Sequence, residues 1–297
     1  RVGTTMSRGR STERGARGGA VGCQSATSSL GAFEVAGVDV LVTGCSGNIY
    51  TYFGPKISIF NADTILSLLD SKDAVDAKKQ LEAFASDSTV FMCVGKGMYF
   101  GQGTIIEHSH SDGNGGAIDA TFCDVVLEKM ILTNSISAEG DGGGIYLSTN
   151  SNLEIRNHSK LSSNNATSGS GGAIACNDCA SIKFKGDTEF RSNKAGSSGG
   201  AVHLSSPKSP VISSGTRFIA NAAAENGGAI DSHDANWTSL GDQFESNVAV
   251  AGSGGAFASF ATTVRLDAMT SCSKNEALEG GGGCLLWEPE AENVEDE

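Results

Sequence analysis

A glycine pair followed by a small and then an apolar residue returns along this chain at nearly fixed intervals. The first glycines are Gly115, Gly142, Gly171, Gly199, Gly227, Gly254 and Gly282, spaced 27, 29, 28, 28, 27 and 28 residues apart. A second mark keeps step with the first. Phe190, Phe218 and Phe244 are each followed three positions later by Asn193, Asn221 and Asn247. Degenerate copies read Ile131–Asn134, Leu161–Asn164 and Cys272–Asn275, and Ile105–His108 places histidine in the asparagine slot. A lone GGAV at Gly18 puts the start of the pattern near the N-terminus. A period of this size signals stacked units that each touch only their neighbours.

The unit is not helical. No LxxLxL run occurs, and no repeat holds ten residues of helical periodicity. Each repeat holds short apolar or alternating runs broken by Gly, Asn, Ser and Asp. Between Gly171 and Asn193 these are GAIA, SIKF (Ser181–Phe184) and TEF (Thr188–Phe190). Three short strands and three corners close one coil, and stacking pairs each strand with its copies about 4.8 Å above and below. The expected fold is all-β, a parallel β-helix of about nine or ten coils and roughly 45 Å long. In it Phe190, Phe218 and Phe244 stack inward with the Ile or Val after Gly-Gly-Ala. The pairs Gly199–Gly200, Gly227–Gly228 and Gly254–Gly255 turn the chain. Asn193, Asn221 and Asn247 sit at left-handed corners and form a side-chain ladder.

Phe-x-x-Asn followed by Gly-Gly-Ala-[Ile/Leu/Val] resembles the repeat of the chlamydial polymorphic membrane proteins, over about Ile105 to Leu286. The resemblance implies a right-handed, pectin-lyase-like β-helix. It also implies a surface-exposed adhesin or passenger, placed outside the cell or on its surface; an organelle lumen or a large complex is the alternative. An acidic tail stands where those proteins carry a C-terminal β-barrel translocator.

Along the chain the reading gives N-terminal coils at 1–55, a helical insertion at 56–90, the main β-helix at 91–288 and an acidic tail at 289–297. The insertion rests on Ile65, Leu66, Leu68, Leu69, Val75, Leu81 and Phe84 at helical spacings, with Asn61 and Ser71 as N-caps.

A net charge of −13 argues against nucleic acid, which needs a basic face. No run of 18 apolar residues supplies a membrane helix. Eight cysteines fit an oxidising compartment. Cys176 and Cys179 form a lone CxxC, without the partners of a zinc ribbon or the strand-to-helix junction of a redox site. They read as a candidate disulfide or as two thiols. No glycine string is followed by the Lys-Ser/Thr and helix of a phosphate loop. Asp112 and Asp141 lie in glycine-rich corners, but neither calcium motif is present. No metal or other cofactor is expected. Three N-x-S/T sequons occur, at Asn157, Asn165 and Asn236.

Stacking brings the residue after Gly-Gly-small-apolar into one outward column: Asp119, Tyr146, Ala175, His203, Asp231 and Ala258. His203 and Asp231 become neighbours there, with His233 and Asp234 close by. That group suits acid–base chemistry on a sugar, with Tyr146 and Trp237 as candidate platforms for the ring. Asp, His and Ser are also ordinary on a solvated sheet. The expected function is therefore a non-catalytic structural or adhesive module. It presents long faces to other proteins or to a surface or matrix component, with carbohydrate among its candidate ligands, or serves as a scaffold subunit. The rival is a polysaccharide-active lyase, epimerase or hydrolase using His203, Asp231 and His233. A polar cleft holding His203 and Asp231 together would favour the rival.

Overall fold

The computed structural model describes residues 4–6, 40–43, 49–50, 91–94, 97–101, 104–261 and 263–288. The helical insertion expected at 56–90 and the acidic tail lie outside the described residues. What is described is a parallel β-solenoid. Its strands form two nine-stranded and two seven-stranded sheets, each built from every fourth strand of the regular coils. Seven turns carry strands in all four sheets; one nine-stranded sheet reaches back to Val40–Thr43 and Thr4–Met6, the other to Phe91–Val94 and Ile49–Tyr50.

One coil shows the plan. Its strands are Ile174–Asn177, Ser181–Lys185, Glu189–Arg191 and Lys194–Ala195. Each pairs in parallel with its copy one coil on, as in Ile174 with Val202, Lys183 with Ile212, Phe190 with Phe218 and Lys194 with Ala222. The coil thus has four strands rather than three. The fourth is a two-residue strand between the asparagine and the glycine corner, too short to leave an alternating pattern.

The interior is a set of columns. Leu132, Leu161, Phe190, Phe218, Phe244 and Cys272 occupy equivalent positions in successive coils. The three phenylalanine rings stack 5.0 Å apart with interplanar angles of 4°. That spacing is set by the distance between hydrogen-bonded strands. Trp237 is also interior, 1% exposed, with its ring 5.3 Å from that of Phe257. It is core, and the reading of Trp237 as a surface platform is corrected.

The asparagine ladder runs through Asn164, Asn193, Asn221, Asn247 and Asn275. The carboxamide oxygen of Asn221 accepts the backbone N–H and the side-chain amide of Asn193, both at 3.0 Å. The Asn221 amide donates to the Phe190 carbonyl at 3.1 Å and to Asn247 at 2.9 Å. Two details differ from the sequence reading. The left-handed residue is the one before each asparagine: Ser192, Ala220 and Ser246 have φ of 55°, 54° and 57°. The asparagine turns inward because its amide must replace backbone partners that the corner removes. In two of the degenerate copies the mark shifts by one: Ser135, not Asn134, stands in the ladder slot and donates its backbone N–H to Asn164, and strand register places Ser109, not His108, in the equivalent slot. The buried residues there are Leu132 and Ile106, one position after the isoleucines Ile131 and Ile105.

A second ladder was not anticipated. It uses the residue just before each glycine pair. Asp141 N donates to Asn114 Oδ1 at 2.8 Å, Ser170 N to Asp141 Oδ1 at 2.7 Å, and Ser253 N to Asn226 Oδ1 at 2.8 Å. Asp141, in one of the glycine-rich corners, is therefore a rung of the scaffold. Asp112 is exposed and pairs with His110 at 3.3 Å. Among the described residues no group of three or more His, Cys, Asp or Glu is arranged to hold a metal ion.

Replacing Asn221 with alanine is expected to cost about 2–4 kcal/mol. The buried N–H of Asn193 loses its acceptor and the Phe190 carbonyl loses its donor, each worth about 1–3 kcal/mol when left unsatisfied. The loss would be read from the urea midpoint at unchanged slope. A change below about 0.5 kcal/mol would show that the ladder only decorates the stack.

Candidate functional site

The outward column lies on the sheet whose strands follow the glycine pairs: Ile118–Thr121, Ile145–Ser148, Ile174–Asn177, Val202–Ser205, Ile230–His233 and Phe257–Phe260. First and third residues point inward, so second and fourth residues form two columns on the outer face. Register sets Asp119, Tyr146, Ala175, His203, Asp231 and Ala258 side by side, as the period predicts. The fourth-residue column is Thr121, Ser148, Asn177, Ser205, His233 and Phe260.

His203, Asp231 and His233 meet. The Asp231 carboxylate is fully buried, and its Oδ2 lies 2.9 Å from His203 Nδ1 and 3.1 Å from His233 Nε2. The His233 ring stacks on Phe260, with centroids 4.7 Å apart and 16° between planes. Asp234 stands apart from the trio, at a left-handed corner with φ of 50°, where its carboxylate accepts the Ser206 hydroxyl at 3.2 Å. Burial alone would push the Asp231 carboxyl up. The bonds from His203 and His233 outweigh it and hold the group below the usual carboxylate range. The same bond to Asp231 pushes His233 up, against the opposing effect of burial.

Stability should depend on pH accordingly. The folded value for His233 is raised, so its contribution is full below about pH 6.5 and fades as pH climbs through that raised value. Asp231 is lowered, so its contribution is present above about pH 3.9 and fades only as acid reaches the depressed value. Raising pH from about 6 to about 8.5 should cost the native chain less than about 1 kcal/mol, because the His233 side chain is 44% exposed and solvent screens the pair. His233→Gln should flatten that slope in denaturation curves taken across the range. A slope surviving the substitution would assign it to another group.

On the far side of His203 the column is interrupted by Ala175. The gap is a pocket of about 170 Å³, lined by Tyr146, Ala175, Cys176, His203, Asn177, Ser205 and Asp141. Asp231 does not line it; the His203 ring stands between. Burial pushes the Tyr146 phenol up to about 12, and Asp119 and Asp141 add to the rise against a hydrogen bond with Asn177. The phenol therefore stays protonated and neutral near neutral pH. His203 commits Nδ1 to Asp231, so Nε2 is the ring nitrogen left for pocket chemistry. Cys176, in the floor, is bonded to Cys179, and Cys272 to Cys284. Sequence reasoning found Tyr146, His203 and Asp231 but not Asn177 or Ser205. The signal was the same register, taken two residues further along each strand.

Known proteins give no further guide to this site: no family model, no curated protein and no solved structure matches the chain.

Proposed function

We propose that this chain is a non-catalytic recognition module, a solenoid that presents long sheet faces to another macromolecule at a cell surface or within an assembly. The observation that carries the reading is the state of Asp231. Its side chain is wholly buried and its Oδ2 is shared by two imidazoles. A carboxylate so enclosed is not placed to trade protons with a substrate, and the trio reads as a brace of the face. The adjoining pocket is small, which suits contact with one group of a larger partner. The Cys176–Cys179 and Cys272–Cys284 disulfides support an oxidising location. The Phe-x-x-Asn and Gly-Gly-Ala repeat supports an adhesin-like, right-handed solenoid of the polymorphic membrane protein type.

A second reading, a polysaccharide-active enzyme, is favoured by one observation. His203 is oriented through Nδ1 by a buried carboxylate, which is how a general base is prepared at Nε2. One experiment separates the two. Purified chain is incubated with a panel of neutral and acidic polysaccharides. Binding is followed by co-sedimentation, and cleavage by new reducing ends and by ultraviolet absorbance of unsaturated products. The expected result is retention without new ends. Cleavage that disappears in His203→Ala would overturn the recognition reading.

A further inference from the structure

We propose that the gap over Ala175 is a subsite for a single uncharged sugar residue, held between the side chains of Tyr146 and His203. The proposal rests on the recognition reading above and names the ligand of that same face.

Ring thickness is the first argument. Tyr146, Ala175 and His203 are consecutive in one column, so the strands carrying the two rings are two spacings, about 9.6 Å, apart. Between them Ala175 contributes only a methyl group. The space left is one ring deep. Its volume of about 170 Å³ is well under the ~300–1,000 Å³ that encloses a drug-sized ligand. One monosaccharide unit fits that scale, and an extended chain does not.

Preorganisation is the second. Neither wall is a free rotor. Tyr146 is half-buried in the face beside Asn177, and His203 is bound through Nδ1 to the buried Asp231. Walls already fixed spare a ligand the ordering cost of about 0.5–1.5 kcal/mol per side chain.

The third is the match of polar groups. The lining offers the Ser205 hydroxyl, the Asn177 amide, the Tyr146 phenol, His203 Nε2 and the Asp141 carboxylate. This set mixes donors and acceptors. A sugar hydroxyl, being both at once, satisfies either kind.

Charge narrows the class. Among the described residues no Lys or Arg lines the pocket, Asp119 and Asp141 stand beside Tyr146, and the whole chain carries −13. A uronate, sulfate or phosphate would meet carboxylates without a counter-charge. An ammonium group gains little either. Asp231 is already matched by two imidazoles, and Asp141 Oδ1 accepts the Ser170 N–H.

The test uses the full chain and four probes: methyl glucoside, methyl galactoside, the methyl glycoside of galacturonic acid with its carboxylate free, and glucosamine. Binding is followed by the ligand's saturation-transfer signals and by titration calorimetry. A neutral glycoside should bind saturably, and the uronate should not. Ala175→Leu fills the gap without removing a polar group, and should weaken binding at least tenfold while leaving the denaturation midpoint close to native. Should that variant fail to fold, Ser205→Ala, on the outer face, replaces it with an expected loss of about threefold. Free methyl glycosides and neutral oligosaccharides, run side by side, separate capture of a lone sugar from capture of a chain end. Binding only by the uronate or the amine, no binding by any probe, or affinity unchanged in Ala175→Leu would each overturn the proposal. If polysaccharide retention persists in Ala175→Leu, the recognition reading stands and this subsite falls. If polysaccharide is cleaved, the recognition reading itself falls.

Discussion

Gly200→Ala is expected to abolish cooperative folding or to cost more than about 4 kcal/mol, the range reserved for core-level damage. Gly200 is not among the positive-φ residues, so alanine's dihedral preferences are not the obstacle. The obstacle is the next coil. A methyl group there would press into the carbonyl oxygen of Gly228 and lie 2.6 and 2.7 Å from the C and N atoms of Ala222. All three are backbone atoms, Ala222 held by strand pairing and Gly228 by its hydrogen bond to the Gly254 carbonyl, so no side chain can move aside. Gly199 answers to a different constraint: its φ is +68°, and a methyl group would strike the Val202 carbonyl of its own coil. The two glycines of each pair therefore do separate jobs, one turning the chain and one admitting the adjacent coil. Gly281→Ala is the control, because nothing lies within 4 Å of its added methyl. It should change stability by less than about 0.5 kcal/mol. Thermal and urea denaturation of both variants decide the matter, and a Gly200→Ala protein with a native midpoint would refute the close-approach account.

Phe218→Ala is expected to cost about 3–5 kcal/mol, the usual range for emptying a buried aromatic site. The ring lies 5.0 Å from Phe190 on one face and 5.0 Å from Phe244 on the other, with Phe184 edge-on at 6.4 Å. Strand spacing fixes the neighbours above and below, so the stack cannot close over the cavity. Phe218→Leu should cost much less, about 1–1.5 kcal/mol, because leucine already fills this column at Leu132 and Leu161. Urea midpoints of the two variants give the comparison, and equal losses would mean that volume is not what this column supplies. Each coil contacts only its neighbours, so either lesion should act on the coils around it first.

The interval between glycine pairs was enough to reach a parallel solenoid, because only a stacked unit needs the same corner at the same spacing. It also places His203 beside Asp231, since register follows from the period alone. It failed where the answer lies in the backbone. Lys194–Ala195 is a strand only because its neighbours hydrogen-bond to it, and two residues carry no pattern. Ile131 and Leu132 are both apolar, so the inward one could not be picked by composition; pairing with Leu161 decides it. The pocket was illegible for a plainer reason. Ala175 reads as one more small residue in a chain full of them, and it becomes a gap only when rings stand on either side.

The two polar ladders and the strand pairs all bind one coil to the next, with their bonds directed along the solenoid axis. Tension along that axis is carried in series through every interface between coils, and an end coil, held on one side only, is the first to detach. The molecule is built to yield by unwinding, each coil of about 28 residues releasing about 95 Å of contour. Pressure across the axis is shared by four sheets at once. A stack with this anisotropy pays out length under traction along its axis, while a load across it is spread over four sheets.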